Sequence, residues 1–220
     1  MKKIDYNLKK ELPLILMIIA AFAISIYFYP MLPDRIPTHW NFKGEIDGYS
    51  GKLSGAYMLP VMNLAMYGLF IILPSIDPRR ENYKLFSSTY IYFRYLFHIY
   101  FLGMHVIVIA AALGYNVDTG RLVMLAVSLL FMLMGNVMGR VKHNYFVGIK
   151  TPWTLASEEV WKKTHRLAAL LWTIAGFLGA VFALLRVNLG WIFIIILMVP
   201  ALVPAIYSYI IFNKMRKTGN

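Results

Sequence analysis

The chain has no cysteine, which excludes disulfides, thiolate metal sites and a cysteine nucleophile. It is also poor in acid, with 10 Asp and Glu against 22 Lys and Arg. No Asp or Glu falls inside any of its long apolar runs. That absence argues against a proton-coupled transporter built on intramembrane carboxylates. There is no internal repeat, no low-complexity tract, no zinc-like ligand spacing and no complete nucleophile, base and carboxylate set.

What is present is apolar. The 220 residues are 60% hydrophobic, with a mean hydropathy of +0.62. Soluble domains sit below this. Six runs stand out: Leu12–Tyr29, Leu53–Leu73, Leu85–Leu113, Leu122–Met138, Leu167–Leu185 and Leu189–Phe212. Each matches the roughly 17–25 residues a helix needs to cross a bilayer. The first run is too long for a signal peptide and no small-residue cleavage site follows it. The fold class expected is an all-α integral membrane protein with six transmembrane helices, multi-pass in a cell membrane. Three parts are expected: residues 1–74 as a two-span module, 75–121 as the third span with its flanks, and 122–220 as a second module.

The net charge of +12 is a matter of topology. Lys and Arg number four in the N-terminal tail, three in 74–84, six in 139–166 and three in 213–220. The alternate segments 30–52, 114–121 and 186–188 hold three, one and one. The positive-inside rule then assigns both termini and the 74–84 and 139–166 loops to the cytoplasm, and 30–52 to the outside. The basic excess suits anionic headgroups and gives no reason to expect nucleic acid.

Local signals refine this picture. Pro13 sits near the start of span one, where a missing N–H costs little. Pro60, Pro74, Pro200 and Pro204 predict kinks, tolerable where neighbours satisfy the freed carbonyls. Gly135-x-x-x-Gly139 and Gly176-x-x-x-Ala180 allow close helix approach. Asp47-Gly48 reads as a tight turn in the outer loop. That loop should form an ordered cap or a short re-entrant segment. Ser157 is an N-cap, with Glu158 and Glu159 in the first turn and Glu158–Lys162 and Glu159–Lys163 as (i, i+4) pairs. Span five therefore starts before the membrane, with Trp161, His165, Ala168 and Trp172 on one face.

Three groups of residues are functional candidates. The 139–166 loop holds Arg140, Lys142, His143, Asn144, Lys150, Thr151, Trp153, Thr154, Trp161, His165 and Arg166. They could line a polar site for an acidic segment, a peptide or a phosphate. They could equally be positive-inside charge and interfacial aromatics. In the outer loop, Asp34, His39, Glu45 and Asp47 could hold a hard cation or form a contact site, although a hydrogen-bonded His in a turn-rich loop is the simpler reading. Inside the spans lie Asn63, Arg94, His98 and His105. The last three share one helix face, where Arg94 could snorkel and the histidines could be neutral hydrogen-bond partners.

The order N-x-x-x-G-x-K-T-P-W-T-L followed by V-W-K-K-T-H-R resembles the signature of the Sdp immunity protein (SdpI) family. It is carried by Asn144, Gly148, Lys150, Thr151, Pro152, Trp153, Thr154, Leu155, Trp161, His165 and Arg166, with Gly135-Asn136 ahead of it. The outer stretch resembles a short domain of unknown function that precedes this module in many members, through Pro33, Ile36, Pro37, His39, Gly44, Asp47 and Lys52. Lys150 stands where many members have Arg, which keeps the charge but loses the bidentate fork. The resemblance implies protection against a secreted, membrane-active toxin peptide on the external side. It also implies a signalling role that holds a cytoplasmic repressor at the membrane. It implies no cofactor and no metal, and oligomeric state stays open.

Two other readings stand beside it. One is a membrane enzyme or lipid-binding protein using Asn144, Lys150, His165 and Arg166 on a phosphate-bearing group. The other is a small transporter using the intramembrane histidines. A toxin arriving from outside would not meet the 139–166 loop first, so in an immunity protein that loop would be the reporting or stabilising end.

Overall fold

In the computed structural model, residues 7–41, 45–187 and 190–217 are described. Helix α1 (Leu8–Phe28) ends in a 3-10 turn, Tyr29–Met31. Strands β1 (Arg35–Trp40) and β2 (Ile46–Gly51) follow, then α2 (Lys52–Ile76). A 3-10 stretch, Arg80–Phe86, leads into α3 (Ser87–Ala112). The chain continues through α4 (Thr119–Met138), the short α5 (Pro152–Ala156), α6 (Glu158–Leu184) and α7 (Trp191–Lys217). Six helical segments are long and apolar enough to cross a membrane: Leu8–Met31, Lys52–Ile76, Arg80–Ala112, Thr119–Met138, Glu158–Leu184 and Trp191–Lys217. The multi-span expectation therefore holds.

The outer loop departs from an all-helical reading. It is an antiparallel hairpin, pairing Arg35 with Gly51 and Trp40 with Ile46. Asp47-Gly48 lies within β2 and does not form the turn. Gly48 faces His39 so closely that a Cβ there would come within 2.7 Å of the His39 Cβ. The glycine is thus explained by close approach across an irregular register. The strands close through Asn41, whose N–H donates to the Glu45 carbonyl at 2.9 Å. Gly44 lies outside the described residues. The hairpin caps the α1–α3 bundle by sinking Ile36 into a cluster with Leu32, Ala56, Val108 and Ile109.

The prolines show how the helices hold one another. Pro60 has no N–H for the Ala56 carbonyl four residues back, so that oxygen accepts from Ser25 Oγ at 2.7 Å. Pro74 frees the Phe70 carbonyl, which accepts from the Tyr90 hydroxyl at 2.6 Å. Pro204 frees the Pro200 carbonyl, which accepts from Trp172 Nε1 at 2.7 Å. In each case a donor on another helix takes over the orphaned acceptor, as a lipid-facing helix requires.

Helices α4 and α6 pack at the closest range. A Cβ on Gly135 would lie 2.5 Å from the Thr173 nitrogen, and one on Gly176 would lie 2.3 Å from the Met132 nitrogen. The small residues read from the sequence are the contact points of this pair. Helix α6 begins as expected, with Ser157 Oγ accepting from the Val160 N–H at 3.3 Å.

Candidate functional site

The loop between α4 and α6 is built around one side chain. Asn144 is fully buried. Its Oδ1 accepts from the backbone N–H of Phe146 (2.9 Å) and Val147 (2.6 Å). Its Nδ2 donates to the carbonyls of Lys142 and Val147, both at 2.8 Å. An Asx side chain that substitutes for backbone partners shapes a turn in this way.

The turn presents Gly148 at φ +119, where a Cβ would lie 2.3 Å from His165 Nε2. Only glycine fits this position. The next N–H, of Ile149, donates to His165 Nε2 at 3.0 Å, while His165 Nδ1 donates to the Trp161 carbonyl at 2.8 Å. Both ring nitrogens are thereby engaged in the neutral tautomer. Trp161 stacks on His165 with centroids 4.0 Å apart, and His143 covers its other side at 5.0 Å. The Trp161 Nε1 donates to the Val141 carbonyl at 2.9 Å.

Thr151 and Thr154 then cap α5 reciprocally, with Pro152 in its first turn. Thr154 is buried, and Thr151 Oγ1 reaches Ser208 Oγ of α7 at 2.8 Å. Trp153 packs on Tyr209 at 4.9 Å. Lys150, Arg166 and Asn136 are exposed. The signature therefore divides into an internal frame (Asn144, Gly148, Thr151, Thr154, Trp161, His165) and a solvent-facing basic part (Lys150, Arg166). The four residues of the enzyme reading divide in the same way: Asn144 and His165 spend their polar atoms on the loop itself, whereas Lys150 and Arg166 face outward.

The loop is docked on the segment after α2 by residues the sequence reading did not single out. Asp77, 2% exposed, accepts from the Tyr145 N–H through Oδ2 at 3.0 Å and from the Arg79 N–H through Oδ1 at 2.7 Å. The Tyr83 hydroxyl lies 3.1 Å from Asp77 Oδ2 and 3.4 Å from Asn144 Oδ1. Asn82 Nδ2 donates to the His143 carbonyl at 2.6 Å. Arg79 lies over the Tyr145 ring at 5.3 Å. His143 is held below the ordinary histidine pKa, first by burial and second by the charge of Arg79, with Glu158 and Asp77 opposing.

The intramembrane candidates are buried among α1, α2 and α3. Arg94 does not snorkel. It is 1% exposed and meets Glu11 through two hydrogen bonds, Nη1 to Oε1 at 2.7 Å and Nη2 to Oε2 at 2.6 Å. The Tyr67 hydroxyl also donates to Glu11, at 2.9 Å. Glu11 lies in the first turn of α1, directly ahead of the apolar run that begins at Leu12. His98 donates from Nδ1 to the Arg94 carbonyl at 2.7 Å, and His105 Nε2 meets Ser25 Oγ at 3.0 Å. Asn63 is fully buried on α2, with neither side-chain polar atom partnered among the described residues.

In the hairpin, His39 is exposed and its Nδ1 lies 2.5 Å from Asp47 Oδ1. No group of three or more His, Asp or Glu that could hold a metal occurs among the described residues, so Asp34, His39, Glu45 and Asp47 do not converge. Pro37 is buried, and Lys52 opens α2 with its Nζ over the Tyr29 ring at 5.1 Å.

Residues 140–208 match the SdpI/YfhL protein family, and residues 16–64 match a domain of unknown function, DUF1648. The immunity protein SdpI of Bacillus subtilis (strain 168) is 29% identical over 209 residues, covering 94% of this chain and 98% of that protein. The uncharacterized membrane protein YbgB of the same organism is 47% identical over 45 residues, covering 20% of this chain and 50% of that protein. No solved structure matches. The likeness to the Bacillus subtilis immunity protein thus extends over nearly the whole chain.

Proposed function

We propose that this chain, an SdpI-type module behind a DUF1648 segment, is a membrane immunity protein that protects its host from a secreted, membrane-active toxin peptide. The observation that carries the reading is the near end-to-end relatedness to an immunity protein, across both modules. In this reading the termini and the 139–166 loop face the cytoplasm and the hairpin faces outward. The hairpin and the outer ends of α1–α3 meet the toxin, with His39, Asp47 and Lys52 the polar groups displayed there.

The docked loop is the reporting end. Its frame is bonded to Asp77, Asn82 and Tyr83, which directly follow α2 and precede α3. A shift of α2 against α3 would therefore be felt at Tyr145 and Asn144. Lys150 and Arg166, exposed on that frame, offer a cationic face to an acidic surface of a cytoplasmic repressor.

The test is expression in a sensitive bacterium challenged with candidate cognate peptides. Survival is expected with the protein and killing without it. Equal killing in both strains across those peptides rejects the immunity reading. K150A/R166A is expected to preserve survival while releasing the repressor from the membrane fraction.

A further inference from the structure

The polar seam beside the docked loop contains an open cavity of about 520 Å3 that none of the contacts above uses. It is lined on one side by Lys84, Leu85 and Phe86 and by Ser87, Ser88 and Thr89, the first turn of α3. On the other side are Gly139, Arg140 and Lys142, just past α4. The two walls belong to different halves of the chain.

Three features of the lining share one chemistry. Three cationic side chains converge, and only Lys84 has an acidic partner, Glu81. Arg140 and Lys142 are exposed and form no ion pair among the described residues. The 26-residue helix α3 starts here, and its N-cap, Phe86, supplies no side-chain acceptor. The 3-10 stretch Arg80–Phe86 runs directly into this turn, so Ser87, Ser88 and Thr89 themselves, rather than a free helix end, supply the donors of this wall. Thr89, 6% exposed, lines the cavity with a hydroxyl that has no hydrogen-bond partner among the described residues. That hydroxyl is free to donate to whatever occupies the open cavity.

The rim identifies the source of that anion. Leu85, 68% exposed, lies beside the cations on the approach to a membrane-spanning helix. Cationic and hydroxyl groups next to an exposed leucine at a span end match the boundary between headgroup and acyl chain.

We propose that this cavity binds the phosphodiester of an anionic phospholipid. Arg140 and Lys142 neutralise the phosphate, while the hydroxyls of Ser87, Ser88 and Thr89 donate to its oxygens. Bound there, the lipid bridges the start of α3 to the end of α4 and braces the seam on which the 139–166 loop is docked. The proposal does not depend on the immunity reading and is tested without any toxin.

The experiment is a thermal-unfolding titration of the full chain in a neutral detergent. The probes are short-chain phosphatidylglycerol, phosphatidylcholine of equal chain length, and inorganic phosphate. Phosphatidylglycerol is expected to raise the midpoint saturably and phosphatidylcholine is not. R140A/K142A is expected to weaken the phosphatidylglycerol effect by at least about tenfold in concentration, the loss of charge-assisted contacts. The K9A/K162A protein, with the same charge removed elsewhere, should respond like the parent. The smaller change Thr89→Val should weaken binding several-fold and guards against misfolding of the double variant. The site is overturned by an unaltered response in R140A/K142A or T89V, or by no response in the parent. An equal midpoint rise with inorganic phosphate overturns the lipid assignment in favour of a free phosphate.

Discussion

Trp172 on α6 donates its indole N–H to the carbonyl of Pro200 on α7 at 2.7 Å, the oxygen that Pro204 cannot bond. The pair makes one helix's proline depend on another helix's tryptophan. Trp172→Phe keeps most of the packing but leaves that acceptor orphaned in apolar surroundings. A loss of about 1–3 kcal/mol is expected. Pro204→Ala restores the intrahelical N–H, so W172F should cost roughly 1 kcal/mol or less on that background. A double-mutant cycle by reversible unfolding measures the coupling. Additive losses would mean that the indole is not serving the proline. Ser25→Ala with Pro60→Ala, and Tyr90→Phe with Pro74→Ala, repeat the experiment at the other two sites.

The Glu11–Arg94 pair makes the opposite kind of claim, about two charges that need each other. Glu11→Leu leaves a buried guanidinium without its carboxylate and should destabilise by about 3–5 kcal/mol. Glu11→Leu with Arg94→Leu removes both charges and should recover most of that loss, since a well-packed apolar replacement is often neutral. Unfolding of the two variants in the same detergent decides it. Equal losses in the single and double variants would show that the pair is not the reason these residues are buried.

Much of this architecture was legible in the sequence, and the misses have physical causes. The spans followed from apolar runs, and the proline and small-residue expectations followed from backbone chemistry that neighbouring helices must answer. The hairpin was missed because Asp47-Gly48 looks like a turn locally, whereas its glycine serves contact with His39 across the strands. Glu11 was missed because it is the last polar residue before an apolar run, and its partner is 83 residues away. Asp77, Asn82 and Tyr83 sat in a segment read only for charge. The signature residues were visible as a pattern, but only the structure separates the framing Asn144 and His165 from the outward Lys150 and Arg166.

Gly148→Ala tests that frame directly. The new Cβ would enter the space of His165 Nε2 while the backbone holds φ +119. A cost of at least about 2 kcal/mol is expected, concentrated in the loop. Limited proteolysis should cut the variant between α4 and α6 much faster than the parent. Equal cleavage would mean that the loop does not rely on the Ile149–His165 contact.

His143 adds a pH dependence. Its pKa in the fold lies below the ordinary 6.5, with burial the main cause and Arg79 the second. The unfolded chain therefore binds a proton that the folded chain refuses, and stability rises with pH in that interval. The contribution is full above the unfolded value. It is lost as pH falls from 6.5 towards the folded pKa, and is flat below it. The unfolding midpoint should drop as pH falls below the ordinary histidine value of 6.5, and His143→Gln should shrink the drop. An unchanged slope in H143Q would assign the effect to another group.

The orientation of the chain is open to a direct test because the background has no cysteine. Tyr49 in the hairpin is 54% exposed, and Ala156 at the end of α5 is also exposed. An odd number of membrane crossings separates them: α2, α3 and α4. Positive-inside charge assigns Tyr49 to the outside and Ala156 to the cytoplasm. A membrane-impermeant maleimide should therefore label Y49C in intact cells, and A156C only after permeabilisation. The reverse pattern keeps the spans but inverts the protein, which would put Lys150 and Arg166 beyond the reach of any repressor. Labelling of both in intact cells would break the alternation itself, and with it the assignment of α2, α3 and α4 as three complete crossings.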